Sequence, residues 1–180
     1  MIKKLKFRLD DADPFIEPLE GTAFEYGFNT KRLQEVVEYW KTSYIPKWTE
    51  RLTFLNQFPH FKTQIQGLDI HFIHVKPKTN KDTKVFPLLL LHGWPGSIRE
   101  FYDIIPLLTT PSKDNIAFEV VVPSLPGFGF SEGASKKGLG ADKIAVIMKN
   151  LMDRVGVDKF YIQAGDWVVK KKLLTLSNIE

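Results

Sequence analysis

The chain contains no cysteine. This absence excludes a scaffold held together by disulfides and any zinc site built on thiolates. It fits a protein that never needs an oxidising compartment, although it does not identify the compartment in which the protein works.

Long apolar runs are also missing. No stretch approaches the roughly 18 consecutive apolar residues of a membrane span. The N-terminal MIKKLKFRLDDADP has charges but no apolar segment behind them. We therefore expect the chain as printed to lack a membrane anchor and to be soluble and cytoplasmic.

A nucleic-acid-binding signature is the third absence. The net charge is +4, and the lysines are spread along the chain without an arginine-rich helix or an aromatic RNA-binding motif. A solvated surface explains this charge better than a nucleic-acid interface does. We expect no nucleic-acid partner.

The N-terminal third has the composition of an arm followed by helices. The chain has 180 residues, 43% of them hydrophobic, which suits one globular domain. Residues 1–30, with their prolines and glycines, are predicted to form an irregular arm. Apolar residues at helical spacing predict a helix from Asn29 or Thr30, and a second helix is expected over about 47–58.

Strand and helix patterns alternate in the rest of the chain. Residues 61–75 alternate as a hairpin that turns near Gly67. Three apolar runs then have the character of strands buried on both faces, separated by two helical segments. The runs lie at 85–91, 117–122 and 160–164, and the helices at 97–108 and 141–155. Strands separated by helices indicate a parallel sheet with right-handed crossovers, so the predicted fold class is α/β.

Each predicted parallel strand is followed by a distinctive loop. The loops are HGWPGS, SLPGFGFS and AGDW. In an open parallel sheet, ligands bind beyond the carboxyl ends of the strands. The sequence therefore predicts that these three loops converge on the functional site.

The AGDW loop has the form of a nucleophile elbow. Residues Ala164 to Trp167 follow a strand directly, with Asp166 where many α/β-hydrolases have serine. A carboxylate can attack a strained sp3 carbon and form an ester that water later cleaves. The alternative is that Asp166 caps the N-terminus of a helix, because aspartate is a favoured cap.

The HGWPGS loop supplies backbone donors. In this type of fold, one amide of such a loop joins the amide after the nucleophile to form an oxyanion hole. The predicted donors are the N–H groups of Trp94 and Trp167. The alternative for HGWPGS alone is a simple turn that ends a strand.

Several separate motifs occur in order along the chain. They are LEGTAFEYGFN (Leu19 to Asn29), FLNQFPHFKTQIQGLDIHFIHVKP, LLLLHGWPGS, PSLPGFGFS and QAGDW. Together they resemble the microsomal-type epoxide hydrolases, in particular the juvenile hormone epoxide hydrolases, from about Leu5 to Trp167. The resemblance implies a partial α/β-hydrolase fold, the N-terminal half of the sheet, preceded by an arm with helices.

The resemblance also implies a reaction. Asp166 would open a small lipophilic epoxide, of the juvenile hormone or xenobiotic type, to a diol through an ester intermediate. The amides of Trp94 and Trp167 would hold the oxyanion. The loop-shaping residues would be His92, Gly93, Pro95 and Gly96. No cofactor and no metal are implied, and the family is associated with the endoplasmic reticulum membrane.

Other parts of the family's machinery do not match this chain. Members also use a base histidine, an acid that orients it and lid tyrosines, all downstream of the nucleophile. All four histidines here precede Asp166. His71 and His74, on the predicted hairpin, are expected to be solvated or hydrogen-bonded and not to act as the base. From Val168 onward the resemblance ends.

These departures lead to an expectation about the chain as printed. We expect a truncated chain that is inactive alone and is divided into three parts. These are the arm and helices (1–60), the first half of the α/β-hydrolase domain (61–167) and a divergent tail (168–180). The alternative is a catalytically dead isoform that acts as a binding or interaction module.

Overall fold

A computed structural model of the chain describes residues 1–166. These residues divide into two compact units, Met1–Gln57 and a second that begins at Phe58. None of the helices within residues 1–166 combines the length and the apolar content needed to cross a bilayer.

The first unit is helical. Its helices are α1 (Ile2–Asp10), α2 (Thr30–Tyr39) and α3 (Trp48–Leu55). A π-helical turn (Trp40–Tyr44) and a 3-10 turn (Ile45–Lys47) connect α2 to α3.

Of the two residues predicted to cap α2, Asn29 does so. Its side-chain oxygen accepts hydrogen bonds from the backbone N–H groups of Lys31 and Arg32, at 3.0 and 3.3 Å. These bonds satisfy two of the amide donors that a helix start leaves without an intrahelical partner.

The prediction of a wholly irregular arm was wrong for residues 2–10, which form α1. Ile2, Leu5 and Leu9 recur at helical spacing and are half-buried, while the lysines and arginine between them are exposed. The Lys41 Nζ atom lies 2.7 Å from the Asp10 carboxylate at the end of α1. The short charged helix is thus defined by three apolar positions.

The second unit contains a mixed five-stranded sheet. Its strands are β1 (His60–Ile65), β2 (Leu68–Val75), β3 (Lys84–Leu91), β4 (Ile116–Pro123) and β5 (Tyr161–Ala164). Their spatial order is β1-β2-β4-β3-β5. The central strand β3 is parallel to both β4 and β5, which confirms the predicted parallel strands.

The predicted hairpin forms and joins the same sheet. β1 and β2 are antiparallel, and β2 is antiparallel to β4. The two-residue connection has positive φ at both Gln66 (50°) and Gly67 (80°). This is the backbone of a type I′ turn, whose twist matches that of the flanking strands.

Of the two helices predicted in this unit, one forms as predicted and the other is broken. The longer one is α5 (Ala141–Arg154), close to its predicted bounds. The helix predicted over 97–108 is instead a 3-10 turn, Ile98–Phe101, and a short α4, Ile105–Leu108. Pro106 in the first turn of α4 prevents a continuous helix, because its ring clashes with the preceding turn and it has no amide hydrogen.

The main core lies between α5 and the sheet. Most of its buried side chains come from α5 and from the inner face of β2, β3 and β4. On α5 these are Ile147, Met148, Leu151 and Met152. Opposite them on the sheet lie Phe72, Leu89, Leu91 and Val121. The packing holds β3 and β4, and therefore the loops that leave them, in fixed positions.

Leu151→Ala tests this packing. Leu151 is fully buried, so the substitution removes apolar contacts and leaves a cavity. We expect it to lower the free energy of unfolding by about 3 kcal/mol. The control is Leu107→Ala, because Leu107 is 74% exposed. Urea denaturation measures both, and equal losses for the two variants would contradict the assigned core.

Candidate functional site

The three predicted loops meet at the carboxyl edge of the parallel strands. β3 pairs with β5 so that Leu91 lies opposite Ala164. The loop after β4 touches the loop after β3, because the Leu125 N–H donates to the His92 ring at 3.1 Å. The predicted convergence of the loops is confirmed.

Asp166 lies at the sharp turn after β5. Its φ of +62° falls in the left-handed region, which is unfavourable for residues other than glycine. Its carboxylate Oδ2 accepts a hydrogen bond from the backbone N–H of Trp94, with an N···O distance of 2.7 Å. A charge-assisted bond of this length fixes the carboxylate against the HGWPGS loop.

The second predicted donor cannot be placed. Trp167 lies outside the described residues. So do the residues that would follow Asp166 in a capped helix, and the alternative role of Asp166 as a helix cap is therefore not tested.

The lack of a side chain at Gly93 makes room for Asp166. A Cβ atom added at Gly93 would lie 2.6 Å from the Asp166 Cβ and 2.8 Å from its Oδ2. Real Cβ atoms do not approach other atoms so closely, so the carboxylate would have to move. This close approach explains why the residue before Trp94 is glycine.

A capping box closes the loop. The Ser97 side chain accepts a hydrogen bond from the Arg99 N–H at 3.3 Å, and the Glu100 carboxylate accepts one from the Ser97 N–H at 3.0 Å. A Cβ at Gly96 would overlap that carboxylate. The intervening Trp94–Pro95 peptide bond is cis.

His92 is buried below this loop, with 1% of its surface exposed. Its Nε2 accepts from the Leu125 N–H at 3.1 Å, and its Nδ1 lies 3.0 Å from the Gly93 carbonyl oxygen. Since a carbonyl can only accept, the ring must carry its proton on Nδ1. One ring nitrogen is therefore hydrogen-bonded to the SLPGFGFS loop and the other to the HGWPGS loop.

Asp166 opens into a cleft of about 580 Å³. Of the predicted site residues, Gly93, Trp94, Pro95, Gly96 and Asp166 line it and His92 does not. The rest of the lining is Leu91, Glu100, Phe101, Gln163, Ala164 and Gly165. A larger apolar groove of about 800 Å³ runs along the outer sheet face beside α4 and shares Glu100, Phe101 and Gln163 with the cleft.

Sequence reasoning missed the shared wall of these cavities. The S-x-x-E spacing of Ser97 and Glu100 is a capping-box signal that the sequence does carry. It places Glu100, and with it Phe101, in the turn beside the elbow. No comparable pattern marks Gln163.

The hairpin histidines are hydrogen-bonded, as predicted. His74 Nε2 lies 2.7 Å from the Glu119 carboxylate. His71 Nδ1 lies 3.0 Å from Ser124 Oγ, and its Nε2 lies 2.8 Å from His60 Nδ1. Within residues 1–166, no group of three or more histidine, aspartate or glutamate side chains is arranged to hold a metal ion.

His71 is the histidine whose titration the fold changes most clearly. Burial lowers the pKa of its ring from an ordinary value of 6.5 to about 4, and the charges of His60 and Lys62 act in the same direction. Folding therefore favours the neutral form of the His71 ring over the protonated form.

The Gly93→Ala variant tests the close approach to Asp166. We expect the displaced carboxylate to lose its bond to Trp94, since the added Cβ would lie within 3 Å of it. The backbone amide resonance of Trp94 in a 1H–15N spectrum should then shift. In the control, Gly133→Ala, the new Cβ meets the Gly127 Cα at an ordinary 3.5 Å. An unchanged Trp94 resonance in Gly93→Ala would contradict the geometry.

Stability against pH tests the environment of His71. Because its pKa is lower in the folded state, its contribution is full above pH 6.5 and is lost as the pH falls towards 4. Between pH 7 and 4.5, wild type should lose roughly 2 kcal/mol more unfolding free energy than His71→Asn. Chemical denaturation across this range gives both curves, with His74→Asn as the control. Parallel curves for wild type and His71→Asn would refute the assignment.

Comparison with known proteins agrees with this geometry. A family profile described as epoxide hydrolase N terminus matches residues 1–101, and one described as alpha/beta hydrolase fold matches residues 87–167. The chain is 55% identical over 168 residues to juvenile hormone epoxide hydrolase 2 of Ctenocephalides felis, covering 93% of this chain and 36% of that protein. It is 48% identical to epoxide hydrolase 1 of Sus scrofa, covering 90% of this chain and 35% of that protein.

Solved structures give the same result. The juvenile hormone epoxide hydrolase of the silkworm Bombyx mori matches with a TM-score of 0.88 and 55% identity, over 93% of this chain and 44% of that one. An Aspergillus niger epoxide hydrolase matches with a TM-score of 0.78 and 34% identity, over 92% and 43%. The chain spans about a third of the length of the curated relatives it matches. With the epoxide hydrolase profile covering more than half of its residues, and with part of an α/β-hydrolase fold, the chain belongs to the epoxide hydrolase family.

Proposed function

We propose that the site around Asp166 opens lipophilic epoxides through an ester formed on the Asp166 carboxylate. The observation that carries this proposal is the hydrogen bond from the Trp94 N–H to Asp166 Oδ2. It holds one oxygen of the carboxylate in the loop, so that the other, Oδ1, is the atom assigned to attack.

In the first step, Oδ1 attacks an epoxide carbon. A bond forms between Oδ1 and that carbon, and the bond between that carbon and the ring oxygen breaks. The oxygen stays on the other ring carbon as an alkoxide, which takes up a proton from solvent. An aspartate suits this displacement because the product is an ordinary alkyl ester. The proton donors assigned by the resemblance, the lid tyrosines, are not among the residues matched here.

In the second step, water attacks the ester at the Asp166 carboxyl carbon. Negative charge then develops on Oδ2, the atom that already accepts from the Trp94 N–H. Collapse of this intermediate breaks the bond between the carboxyl carbon and Oδ1. Oδ1 takes one proton of the water and leaves in the diol, and the other proton passes to solvent, so that the carboxylate is restored with the oxygen of the water. A donor placed in advance at the oxyanion position stabilises the step without reorganisation. The Trp167 N–H is proposed as the second donor.

The cleft favours an apolar substrate. Leu91, Phe101 and Ala164 form part of its wall. Burial of a lipophilic epoxide against them would remove apolar surface from water. The proposed substrate is an epoxide of the juvenile hormone type, because relatives are named for it, or a lipophilic xenobiotic epoxide. By the same resemblance, the intact enzyme is proposed to work at the endoplasmic reticulum membrane.

The printed sequence is proposed to form the ester but to hydrolyse it slowly. All four of its histidines precede Asp166, and the hydrogen bonds of His71 and His74 commit both rings to other partners. Loss of a general base typically slows such a step by ~10²–10⁴-fold. Residues 61–167 would supply the nucleophile half of the hydrolase domain, behind an arm of residues 1–60 and ahead of a divergent tail, 168–180.

A second candidate is a catalytically dead isoform that acts as a binding or interaction module. The apolar groove of about 800 Å³ favours it, because Phe86, Leu88 and Tyr161 offer apolar surface there without any need for turnover. Such a protein would bind an epoxide or a protein partner and leave it unchanged.

Intact-mass spectrometry after incubation with excess cis-stilbene oxide tests the proposal. We expect one added epoxide mass, located on Asp166 by peptide mapping, because the ester should outlive the experiment. Asp166→Asn should lose the adduct. The matched control is Asp103→Asn, which removes an exposed surface carboxylate and should keep it.

Two results would count against the ester mechanism. An adduct of equal yield in Asp166→Asn would show that another group reacts. Saturable binding of the epoxide without any adduct would favour the binding module.

A further inference from the structure

Three buried polar side chains of the described residues lie on one path. Apart from Tyr102, whose hydroxyl lies 3.5 Å from His60 Nε2, the buried polar residues within 1–166 are His71, His92 and Ser124, exposed by 5%, 1% and 0%. Burying such groups is costly unless each is hydrogen-bonded. All three are, and their bonds lead from the hairpin to the Trp94 amide.

The path begins at His71, which is hydrogen-bonded to the loop after β4. His71 Nδ1 lies 3.0 Å from Ser124 Oγ, and the His71 carbonyl accepts from the Ser124 N–H at 2.9 Å. The His71 N–H donates to Ser131 Oγ at 2.9 Å, and that hydroxyl donates to the Ser124 carbonyl at 2.6 Å. Both ends of the SLPGFGFS loop are therefore tied to one residue of β2.

The path continues from this loop to His92. Leu125 follows Ser124 directly, so the hydrogen bonds at Ser124 set the direction of the Leu125 N–H. This N–H donates to His92 Nε2. This donation requires a lone pair on Nε2 and leaves the ring proton on Nδ1. The Leu125 amide thus selects the tautomer of His92.

The path ends at a single peptide group. His92 Nδ1–H donates to the Gly93 carbonyl oxygen, which belongs to the same planar peptide as the Trp94 N–H. That N–H points at Asp166 Oδ2. Because the peptide is rigid, holding its oxygen from one side orients its N–H on the other.

We propose that His71 is a positioning residue for the Asp166 site, which orients the Trp94 amide through Ser124, Leu125 and His92. The inference deepens the proposed function, because that amide is the donor assigned to the oxyanion. His71 does not line the cleft that holds Asp166, and its side chain is bonded to Ser124 and His60. Its role is to keep the loop where the Leu125 N–H meets the His92 ring.

Hydrogen exchange of the Trp94 amide at pH 7 tests this role in the full 180-residue chain. We expect exchange about tenfold faster in Ser124→Ala, the effect of losing one hydrogen bond along the path. His71→Leu should show the same acceleration. In His71→Asn, exchange should stay as slow as in wild type, because the asparagine amide can take the place of Nδ1 opposite Ser124. In His71→Gln, exchange should be fast, because the longer side chain places its amide near His60 instead. His74→Leu, on the same strand but bonded to Glu119, is the control.

The tautomer of His92 gives a second readout, which a merely structural role would not move. Long-range 1H–15N correlations should show a proton on Nδ1 in wild type and a loss of that single tautomer in Ser124→Ala. Ser124→Ala removes one oxygen atom and keeps the experiment informative if His71→Leu fails to fold. Slow Trp94 exchange with an unchanged His92 tautomer in Ser124→Ala would overturn the proposal.

Failure of this inference can be separated from failure of the proposed function. Trp94 exchange that responds to Ser124→Ala, in a chain that forms no adduct with cis-stilbene oxide, would leave the positioning role standing and refute the chemistry. Adduct formation at the wild-type rate in Ser124→Ala, with unchanged exchange, would leave the chemistry standing and refute the positioning role.

Discussion

The pairing of β3 with β5 is the constraint on which the site depends. Leu91 lies opposite Ala164, so Gly93 and Asp166 each stand two residues beyond the last paired position of their strands. This equal spacing brings the Trp94 N–H and the Asp166 carboxylate together although the two residues are 72 positions apart in the chain. A shift of one residue would turn every side chain of a strand to the other face and break this meeting. The core between α5 and the sheet stabilises the register from one side.

Backbone groups supply much of the site. The Trp94 amide, the Gly93 carbonyl and the Leu125 amide are polar groups that cannot be altered by replacing a side chain. The His92 side chain orients one of these groups, the Gly93 carbonyl. The absence of a side chain at Gly93 leaves space for Asp166. Such a site is stiff, because moving one of its dipoles requires the movement of a loop. Stiff dipoles are what stabilise developing charge at low cost.

Much of this architecture could be predicted from the sequence. Continuous apolar runs such as VFPLLLL specify buried strands, and glycine-rich loops specify where the ligand edge lies, so the α/β class and the elbow at Asp166 followed directly. α1 was missed because its three apolar residues are diluted by lysine and arginine. The helix over 97–108 was predicted too long because the effect of Pro106 was not weighed. The His71–Ser124–His92 path depends on contacts between residues 33 to 53 positions apart, which no local pattern encodes.

The antiparallel direction of β2 has a consequence for how this protein can be recombined. Because β2 runs against β4, its beginning and not its end lies beside the loop after β4. Asp69 and His71 are therefore bonded to that loop at Ser124, Ser131 and Glu132. The hairpin and the loop therefore have to be exchanged together, although residues 76–123 lie between them in the chain. A chimaera that takes residues 60–75 from one parent must take 124–132 from the same parent, and its crossover points belong outside both segments.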